Sequence, residues 1–320
     1  MELTADVQDR AAGVLLGQGI GDALGVPYEF APPIKPGEAE MIGGGLGPYE
    51  PGEWSDDTQM ALCIAQVAAT GADLTTDDAL DRVAEAFIGW KDHGSTDIGN
   101  QTAAVLGWAS HDDGTRLSQR MTGLATGLAR QGRMGNGGLM RTSVVGLTAL
   151  DSAEKTAEAA RRVCCLTHAE PRCAESAVLW SLAVRHAVLT GTMDVRCGLP
   201  LLAPERREWW AAQIEDAETN SPSVFTPNGD TVRAFQAAWA SIHATSWANG
   251  PEQVPAALQL AISIGNDTDT VAAIAGGLLG ACHGASGLPA EWVGQVHGWP
   301  GLRSDDLVRL ALAIVGAPSA

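Results

Sequence analysis

Basic residues are scarce in this sequence, and their scarcity limits the partners that the protein can have. The 320 residues include 20 Lys and Arg against 38 Asp and Glu, which gives a formal net charge of −18. Lysine occurs only at Lys35, Lys91 and Lys155, and no basic run is present. Because nucleic acids and anionic membrane surfaces are held mainly by Lys and Arg, we expect neither as a partner.

Metal-binding cysteine pairs and long apolar runs are also missing. The six cysteines form no C-x-x-C pair, which argues against a zinc site and against a disulfide framework. The longest apolar stretch, 271–282, is far shorter than the roughly 20 residues that cross a bilayer. The first ten residues are polar and acidic and do not resemble a signal peptide. We therefore expect a cytoplasmic protein without a membrane-spanning segment.

Strand signals are nearly absent, since the chain has four Phe and two Tyr and no sustained alternation of β-branched residues. Apolar residues recur instead at helical spacing, which predicts an all-α bundle. The Gly/Pro-rich stretch 31–53 and the Pro-rich stretch 198–229 are predicted to be irregular connections. Neither separates regions of different composition, so we predict one compact domain over 1–320. The predicted helical segments are 9–24, 58–70, 77–90, 98–110, 118–130, 139–150, 152–165, 170–190, 230–247, 252–264, 269–284 and 304–316.

Glycines recur every four residues in two of these predicted helices. They are Gly13, Gly17, Gly21 and Gly25 in the first, and Gly276, Gly280 and Gly284 near the C-terminus. Each helical glycine costs about 0.8–1 kcal/mol relative to alanine, and close approach of another backbone or of a ligand would offset that cost. Gln18 and Asp22 interrupt the first set, which argues against a membrane helix. Tight packing of helices in the core is the simplest interpretation.

Two acidic motifs each stand directly before an apolar helical segment. They are Ser55-Asp56-Asp57-Thr58 and Asp267-Thr268-Asp269-Thr270. Helix capping is one interpretation, because Ser, Asp and Thr cap helix N-termini well. One cap needs only one side chain, however, whereas each motif supplies two carboxylates flanked by hydroxyls. The motifs therefore also predict a binding site for cations.

The physical cost of bringing the two motifs together indicates what such a site would bind. Two like charges ~4 Å apart repel by about 4 kcal/mol at an effective dielectric constant of ~20, so four carboxylates need cations or protons. Oxygen ligands favour Mg²⁺, Mn²⁺ or Ca²⁺ over zinc and copper. An EF-hand is excluded because the residues after Asp267 lack its later ligands. The pairs Asp77–Asp78, Asp112–Asp113 and Asp305–Asp306 are predicted to be solvated helix caps instead.

Six sequence blocks, in order, resemble the ADP-ribosylglycohydrolase family, and most closely its dinitrogenase-reductase-activating and arginine-directed branch. Together they cover roughly residues 10–312. Each block alone is a weak signal, but the ordered set is specific. The blocks are 21–29 (GDALGVPYE), 52–58 (GEWSDDT), 97–100 (DIGN), 135–141 (GNGGLMR), 167–168 (TH) and 265–270 (GNDTDT).

This resemblance implies a compact orthogonal helical bundle and a binuclear Mg²⁺ or Mn²⁺ centre. It implies an ADP-ribosylated protein as substrate and ADP-ribose as product. Asp97 would face the scissile bond as the main acid/base group, Asp267 would orient water, and Glu29 would position or gate the substrate. Ser55 stands where many relatives have threonine and keeps the hydroxyl. The implied metal ligands are Ser55, Asp56, Asp57, Asp267, Asp269 and Thr270.

The remaining blocks suggest contacts with the nucleotide. Backbone N–H groups of the loop Gly135, Asn136, Gly137 and Gly138 can approach a diphosphate without obstruction by Cβ atoms, although an ordinary glycine-rich turn is an open alternative. His168 is predicted either to contact ribose or phosphate or to be structural. Asn100, which closes the block that begins at Asp97, is predicted to bind substrate.

These residues favour hydrolysis of the glycosidic bond between ADP-ribose and arginine. Three alternatives stay open at this point. They are serine as the leaving group, the acetate of O-acetyl-ADP-ribose as the leaving group, and a non-catalytic ADP-ribose binder. A modified nucleic acid is disfavoured by the net charge of the chain.

Overall fold

The structure is a computed structural model that describes residues 3–111, 114–248 and 250–316. Helices dominate it, and a two-stranded antiparallel ribbon, β1 (His297–Gly298) and β2 (Leu302–Arg303), precedes the last helix. The prediction of an all-α fold is confirmed. The α-helices are α1 (Ala5–Gly25), α2 (Asp56–Ala68), α3 (Asp77–His93), α4 (Asn100–Ala109), α5 (Leu117–Ala129), α6 (Ala153–Cys165), α7 (Pro171–Thr190), α8 (Pro204–Thr219), α9 (Thr231–Ala244), α10 (Gln253–Ser263), α11 (Thr268–His283), α12 (Ala290–Gln295) and α13 (Ser304–Ile314).

Short 3₁₀ helices connect several of these elements. The ones closest to the candidate site follow α1 and precede α6. They are Val26–Tyr28, Asn136–Gly138 and Ser143–Leu147. Because 3₁₀ helices turn more tightly than α-helices, they redirect the chain within a few residues around the cleft described below.

The prediction that 198–229 is irregular is wrong, because α8 lies within it. Pro204 stands in the first turn of α8, where the missing N–H has no helical partner to lose. The helix buries Trp210, Ile214 and Ala217, which are spaced four and three residues apart and so share one face. The prolines of this stretch therefore bound a helix instead of excluding one.

The predicted helix over 139–150 is also wrong, since its central part is the 3₁₀ helix Ser143–Leu147 with turns on either side. The Ser181 hydroxyl donates a hydrogen bond to the Thr142 carbonyl at 2.9 Å, so a side chain satisfies an acceptor that an α-helix would use. A Cβ built on Gly146 would lie 2.7 Å from the Ser181 carbonyl oxygen. Contact with α7 thus favours the tighter turn over the apolar periodicity.

The glycine stripes are sites of tight helix packing, as predicted, and the structure shows that they pack α1 against α11. A Cβ built on Gly17 would lie 2.3 Å from the Gly276 carbonyl oxygen, and one built on Gly13 would lie 2.2 Å from that of Gly280. Such distances leave no room for any side chain. The two helices therefore touch backbone to backbone in the middle of an apolar core that includes residues from Ala11 to Ala311.

Helix α1 also brings the two acidic motifs together. Near its end, a Cβ on Gly25 would lie 2.4 Å from the Cα of Asp269, so α1 abuts the start of α11. One turn earlier, Asp22 is fully buried and accepts hydrogen bonds from Ser55 and Thr58 at the start of α2. Two stretches more than 200 residues apart in sequence therefore meet at the last turn of α1.

Two of the other acidic pairs lie in first turns of helices. Asp77 and Asp78 begin α3, but its capping side chain is Thr76. Asp305 and Asp306 follow Ser304 at the start of α13, where Asp306 completes a capping box. Asp112 and Asp113 lie outside the described residues. Among the residues that the structure describes, no helix is both long and apolar enough to span a membrane.

Candidate active-site cleft

A cleft of about 720 Å³ opens above the meeting point of α1, α2 and α11. Its wall includes eleven of the residues predicted from the sequence. Ser55 and Asp57 lie buried beneath its floor, and Gly138 packs behind the wall. The predicted residues that line the cleft are Glu29, Asp56, Asp97, Asn100, Gly135, Asn136, Gly137, His168, Asp267, Asp269 and Thr270.

The floor depends on Asp22, which holds the start of α2. One of its oxygens, Oδ1, accepts from the Ser55 N–H at 2.8 Å and from the Ser55 hydroxyl at 2.7 Å, and the other accepts from the Thr58 N–H at 2.9 Å. Ser55 is the N-cap residue by position, yet its side chain makes no capping bond. The capping interpretation of the first motif is thus wrong, because Asp22 binds the backbone of this turn from a neighbouring helix.

The second motif does not cap its helix either. Asp267 is the N-cap residue of α11 and makes no side-chain capping bond. Its Oδ2 instead accepts from the Asn136 side chain at 2.8 Å, while its backbone N–H donates to the Asn228 side chain at 2.9 Å. The Thr268 hydroxyl donates to the Gly25 carbonyl at 2.9 Å. Both motifs therefore leave carboxylates available to the cleft.

Two carboxylate clusters form in this way. Oxygens of Asp22, Asp57 and Asp269 lie within 4.8 Å of one another, and so do oxygens of Glu29, Asp267 and Asp269. Asp269 belongs to both clusters. Asp56 lines the cleft beside them but belongs to neither cluster.

Burial and mutual repulsion disfavour negative charge throughout the clusters. Burial, then repulsion from Asp267 and Asp97, raises the pKa of Glu29 to about 9. Burial raises the pKa of Asp22 to about 6 against its hydrogen bonds. Burial, followed by the charge of Glu29, raises the pKa of Asp269 well above the usual range. Burial, followed by the charge of Asp22, does the same for the pKa of Asp57. These groups therefore require protons or cations.

The hydrogen-bond pattern fits cations held by oxygen ligands. The Ser55 hydroxyl lies within 3.3 Å of carboxylate oxygens on Asp22, Asp57 and Asp269, yet it carries one hydrogen and can donate to only one of them. Oδ1 of Asp57 and Oδ1 of Asp269 are buried with no hydrogen-bond partner among the described residues. Buried unpaired carboxylate oxygens are costly, and hard divalent ions such as Mg²⁺ or Mn²⁺ match such a donor set.

One wall of the cleft is formed by the segment that leads into α4. Asp97 is half-buried, and its Oδ1 accepts the N–H of Ile98 at 2.7 Å. Helix α4 begins at Asn100 without a side-chain cap, and its first-turn residues Asn100, Gln101 and Thr102 line the cleft. The positive end of the α4 dipole therefore faces the cavity, where it favours an anionic ligand group.

A second wall, which borders the start of α4 at Thr102, contains the predicted glycine loop, and this loop packs against His168. A Cβ on Gly137 would lie 2.9 Å from the His168 Cε1, and one on Gly138 would lie 2.5 Å from the Cys164 Sγ. His168 is buried with its Nδ1 2.8 Å from the Thr167 hydroxyl. Burial first, and the nearby Arg141 second, lower its pKa to about 3, so the imidazole is neutral. The loop is thus tightly packed as well as open to the cleft.

Sequence reasoning missed two residues of this site. Asp22 interrupts a glycine stripe and lies in the block 21–29, but neither pattern assigns it a role; its charge within so apolar a helix is unusual without indicating its partners. Arg133 has no predicted role, although it lies two residues before the glycine loop block. It is exposed, and among the described residues that line the cleft it is the one Arg or Lys.

The helical fold and the cleft with its carboxylate floor have the features of a hydrolytic enzyme with an acidic centre. A family model described as ADP-ribosylglycohydrolase matches residues 3–319. The chain belongs to that family and is a hydrolase, so the resemblance stated from the sequence is confirmed.

Similar proteins of known name agree with this. The chain is 30% identical to the ADP-ribosylarginine hydrolase Tri1 of Pseudomonas putida, over 90% of this chain and 74% of that protein. It is 25% identical to the ADP-ribosyl-[dinitrogen reductase] glycohydrolase of Rhodospirillum rubrum, over 91% of each chain. A solved structure titled "ADP-ribosylglycohydrolase-related protein complex" superposes with a TM-score of 0.77 at 25% identity, over 98% of this chain and 99% of that one.

Proposed function

We propose that this chain, as one domain over 1–320, is a metal-dependent hydrolase that releases ADP-ribose from arginine side chains of modified proteins. The observation that carries the proposal is the presence of Asp97 in the same cleft as both carboxylate clusters. The similarity to a protein named ADP-ribosylarginine hydrolase supports arginine as the leaving group.

The six predicted ligands, Ser55, Asp56, Asp57, Asp267, Asp269 and Thr270, would hold the two divalent ions, Mg²⁺ or Mn²⁺. When bound, such ions supply charge stabilisation at oxygen atoms and lower the pKa of coordinated water. The orphaned oxygens of Asp57 and Asp269 support this donor set.

Side chains of the cleft supply the proton transfers and the orientation. Asp97, with one oxygen held by the N–H of Ile98, exchanges a proton with the leaving guanidine. Asp267, fixed by Asn136, orients the attacking water. Glu29, which belongs to the cluster with Asp267 and Asp269, positions or gates the substrate. Negative charge near the ribose stabilises the oxocarbenium-like state through which glycosidic bonds break.

The nucleotide part of the substrate would lie along the two walls. The uncapped start of α4, the backbone of Gly135 and Gly137 and the guanidinium of Arg133 supply hydrogen-bond donors and positive charge. A diphosphate is the group that such donors suit. His168, being neutral, contributes a hydrogen bond without adding charge.

The test compares two modified proteins as substrates. The purified chain with Mg²⁺ or Mn²⁺ is incubated with arginine-ADP-ribosylated and with serine-ADP-ribosylated protein, and free ADP-ribose is measured. We expect release from arginine, and we expect the variant Asp97→Asn to lose most of it. Release from serine alone would contradict the proposed linkage. Binding of ADP-ribose without release from either would identify a non-catalytic binder.

A further inference from the structure

Large apolar side chains are unusually exposed along one edge of the cleft. Phe30 and Leu46 are 62% and 55% exposed, and we call these two residues the apolar rim. Phe30 and Leu46 line the mouth of the cleft. Scattered single apolar residues on a surface need no explanation, whereas a group beside a binding site indicates a contact surface.

Phe30 is held outward by an unfavourable backbone conformation. Its φ is +50°, a region that bulky residues rarely adopt. Its N–H donates to the carbonyl of Asn266 at 2.7 Å, and Asn266 itself has a φ of +64°. The ring gains little burial within the chain in return. Strained, exposed residues beside an active site commonly have a role in binding.

The position of Leu46 is determined by the glycine-rich loop that precedes it. Gly43, Gly44 and Gly45 all have positive φ. A Cβ on Gly45 would lie 2.3 Å from the Val26 carbonyl oxygen, so the loop is pressed against the chain just after α1. The loop therefore presents Leu46 to the cleft mouth instead of covering the core with it.

The segment 35–53, which contains Leu46, is mainly acidic. Glu38, Glu40, Glu50 and Glu53 lie on the same segment and are exposed or half-buried. The one lysine there, Lys35, lies 3.9 Å from Glu38. The net charge of the whole chain, which includes these residues, is −18. A partner with apolar and basic side chains is therefore complementary to this edge.

The position of the rim decides which part of a substrate would reach it. Glu29 directly precedes Phe30, and a Cβ on Gly47 would lie 2.6 Å from the Thr96 Cγ2, next to Asp97. The rim thus lies at the carboxylate end of the cleft, where the scissile bond would be. Among the groups suited to the diphosphate, Gly135 and Gly137 pack against His168 instead. The group across the scissile bond from the ribose is consequently the one nearest the rim.

We propose that the apolar rim binds the polypeptide around the modified arginine, and that this polypeptide is apolar and basic. The inference rests on the proposed function and extends it from the modified side chain to the protein that carries it. It makes Phe30 and Leu46 determinants of specificity for protein substrates over small ones.

The test uses two substrates and two rim variants. Phe30→Asn removes the ring while placing a residue that tolerates positive φ, and Leu46→Ser removes the aliphatic side chain. Val224→Ser is the matched control, because Val224 is 57% exposed and lies outside the cleft wall. For each, kcat/KM is measured with ADP-ribosylated protein and with ADP-ribosyl-arginine as a small molecule.

We expect kcat/KM for the protein substrate to fall about 10-fold further than for the small substrate in the rim variants, and the control to match the wild type with both. Added NaCl should raise KM for the protein more than for the small substrate. Equal losses on both substrates would assign the rim to the nucleotide or to stability and overturn the inference, as would no loss on either. A wild type that releases ADP-ribose from neither substrate overturns the proposed function itself, and the rim assignment with it.

Discussion

Ser55 stands at the N-cap position of α2, but its side chain does not cap the helix. Asp22 binds the backbone of this turn in its place. The Ser55 hydroxyl is thereby directed to a point between three carboxylates, and Asp57 keeps an unpaired oxygen. At the scale of single residues, the site thus depends on one carboxylate with a structural role that leaves others free to bind cations. The hydrogen bonds that a carboxylate accepts thus decide whether it holds the backbone, as Asp22 does, or has an oxygen free for a cation, as Asp57 does.

Asp269, the residue shared by both carboxylate clusters, should be indispensable for turnover. We expect Asp269→Asn to lower the rate of ADP-ribose release by about 100-fold or more and to weaken Mg²⁺ binding measured by calorimetry. In a chelator, the same variant should unfold at a higher temperature than the wild type, because it removes a carboxylate that is costly among like charges whether it stays charged or takes up a proton.

The matched control is Asp305→Asn, which alters an exposed carboxylate in the first turn of α13. It should leave turnover, Mg²⁺ binding and the melting temperature in chelator close to those of the wild type. Turnover retained by Asp269→Asn would contradict the metal centre.

Because His168 is buried in its neutral form, the free energy of unfolding should decrease as the pH is lowered. Its pKa of about 3 when folded lies below the ordinary value near 6.5, so the unfolded chain binds the proton more readily. The resulting penalty is absent above pH 6.5 and grows as pH falls toward 3. Between pH 7 and 5, the wild type should lose about 2 kcal/mol more unfolding free energy than His168→Asn, measured in urea. Equal losses would show that the folded protein admits a charged imidazole.

Much of the site can be predicted from single residues, but its internal arrangement cannot. Repeated Asp with flanking hydroxyls predicted a cation site, and Asp57, Asp267 and Asp269 do converge. The place of Asp22 follows from a contact between α1 and α2 that leaves no pattern in the sequence. Arg133 gave no signal because a lone exposed arginine is ordinary on a protein surface.

At the scale of elements, the contact between α1 and α11 determines the architecture around the cleft. Glycine spacing predicts close packing of each helix, but it does not identify the two helices as partners. Helix α8 departs from the prediction because the prolines of 198–229 do not break it, and one of them stands in its first turn. The turns around 143–147 were not predicted because contacts with α7 outweigh apolar periodicity there.

Filling the contact between α1 and α11 should cost stability and function together. Gly17→Ala would place a Cβ 2.3 Å from a backbone oxygen, and we expect it to lower the unfolding free energy by about 1–3 kcal/mol or more. It should also weaken Mg²⁺ binding, because α11 carries Asp269 on its first turn. Urea unfolding and calorimetry measure the two effects.

Gly89→Ala is the control within another helix. Nothing lies within 4 Å of a Cβ built on Gly89 in α3, so the substitution should stabilise the protein by about 0.5–1 kcal/mol through helix propensity. The interlocked packing of α1 and α11 would be contradicted if both variants were equally stable.

At the scale of the whole molecule, the chain is strongly acidic, and the cleft concentrates several of its carboxylates in one place. Divalent ions that bind only the folded state should therefore stabilise it. At a concentration 100 times Kd, Mg²⁺ or Mn²⁺ should raise the unfolding free energy by about 2.7 kcal/mol. NaCl at matched ionic strength is the control, and an equal effect of NaCl would point to general screening instead of a site.

The bare contact between α1 and α11 has a consequence for how this enzyme can vary. Because the glycines recur every four residues, α1 and α11 can pack in another register only after one helix slides about 6 Å along the other. Smaller shifts would bring side chains into the contact. Mutations therefore cannot adjust the distance between the two acidic motifs gradually: they either preserve it or disrupt the contact.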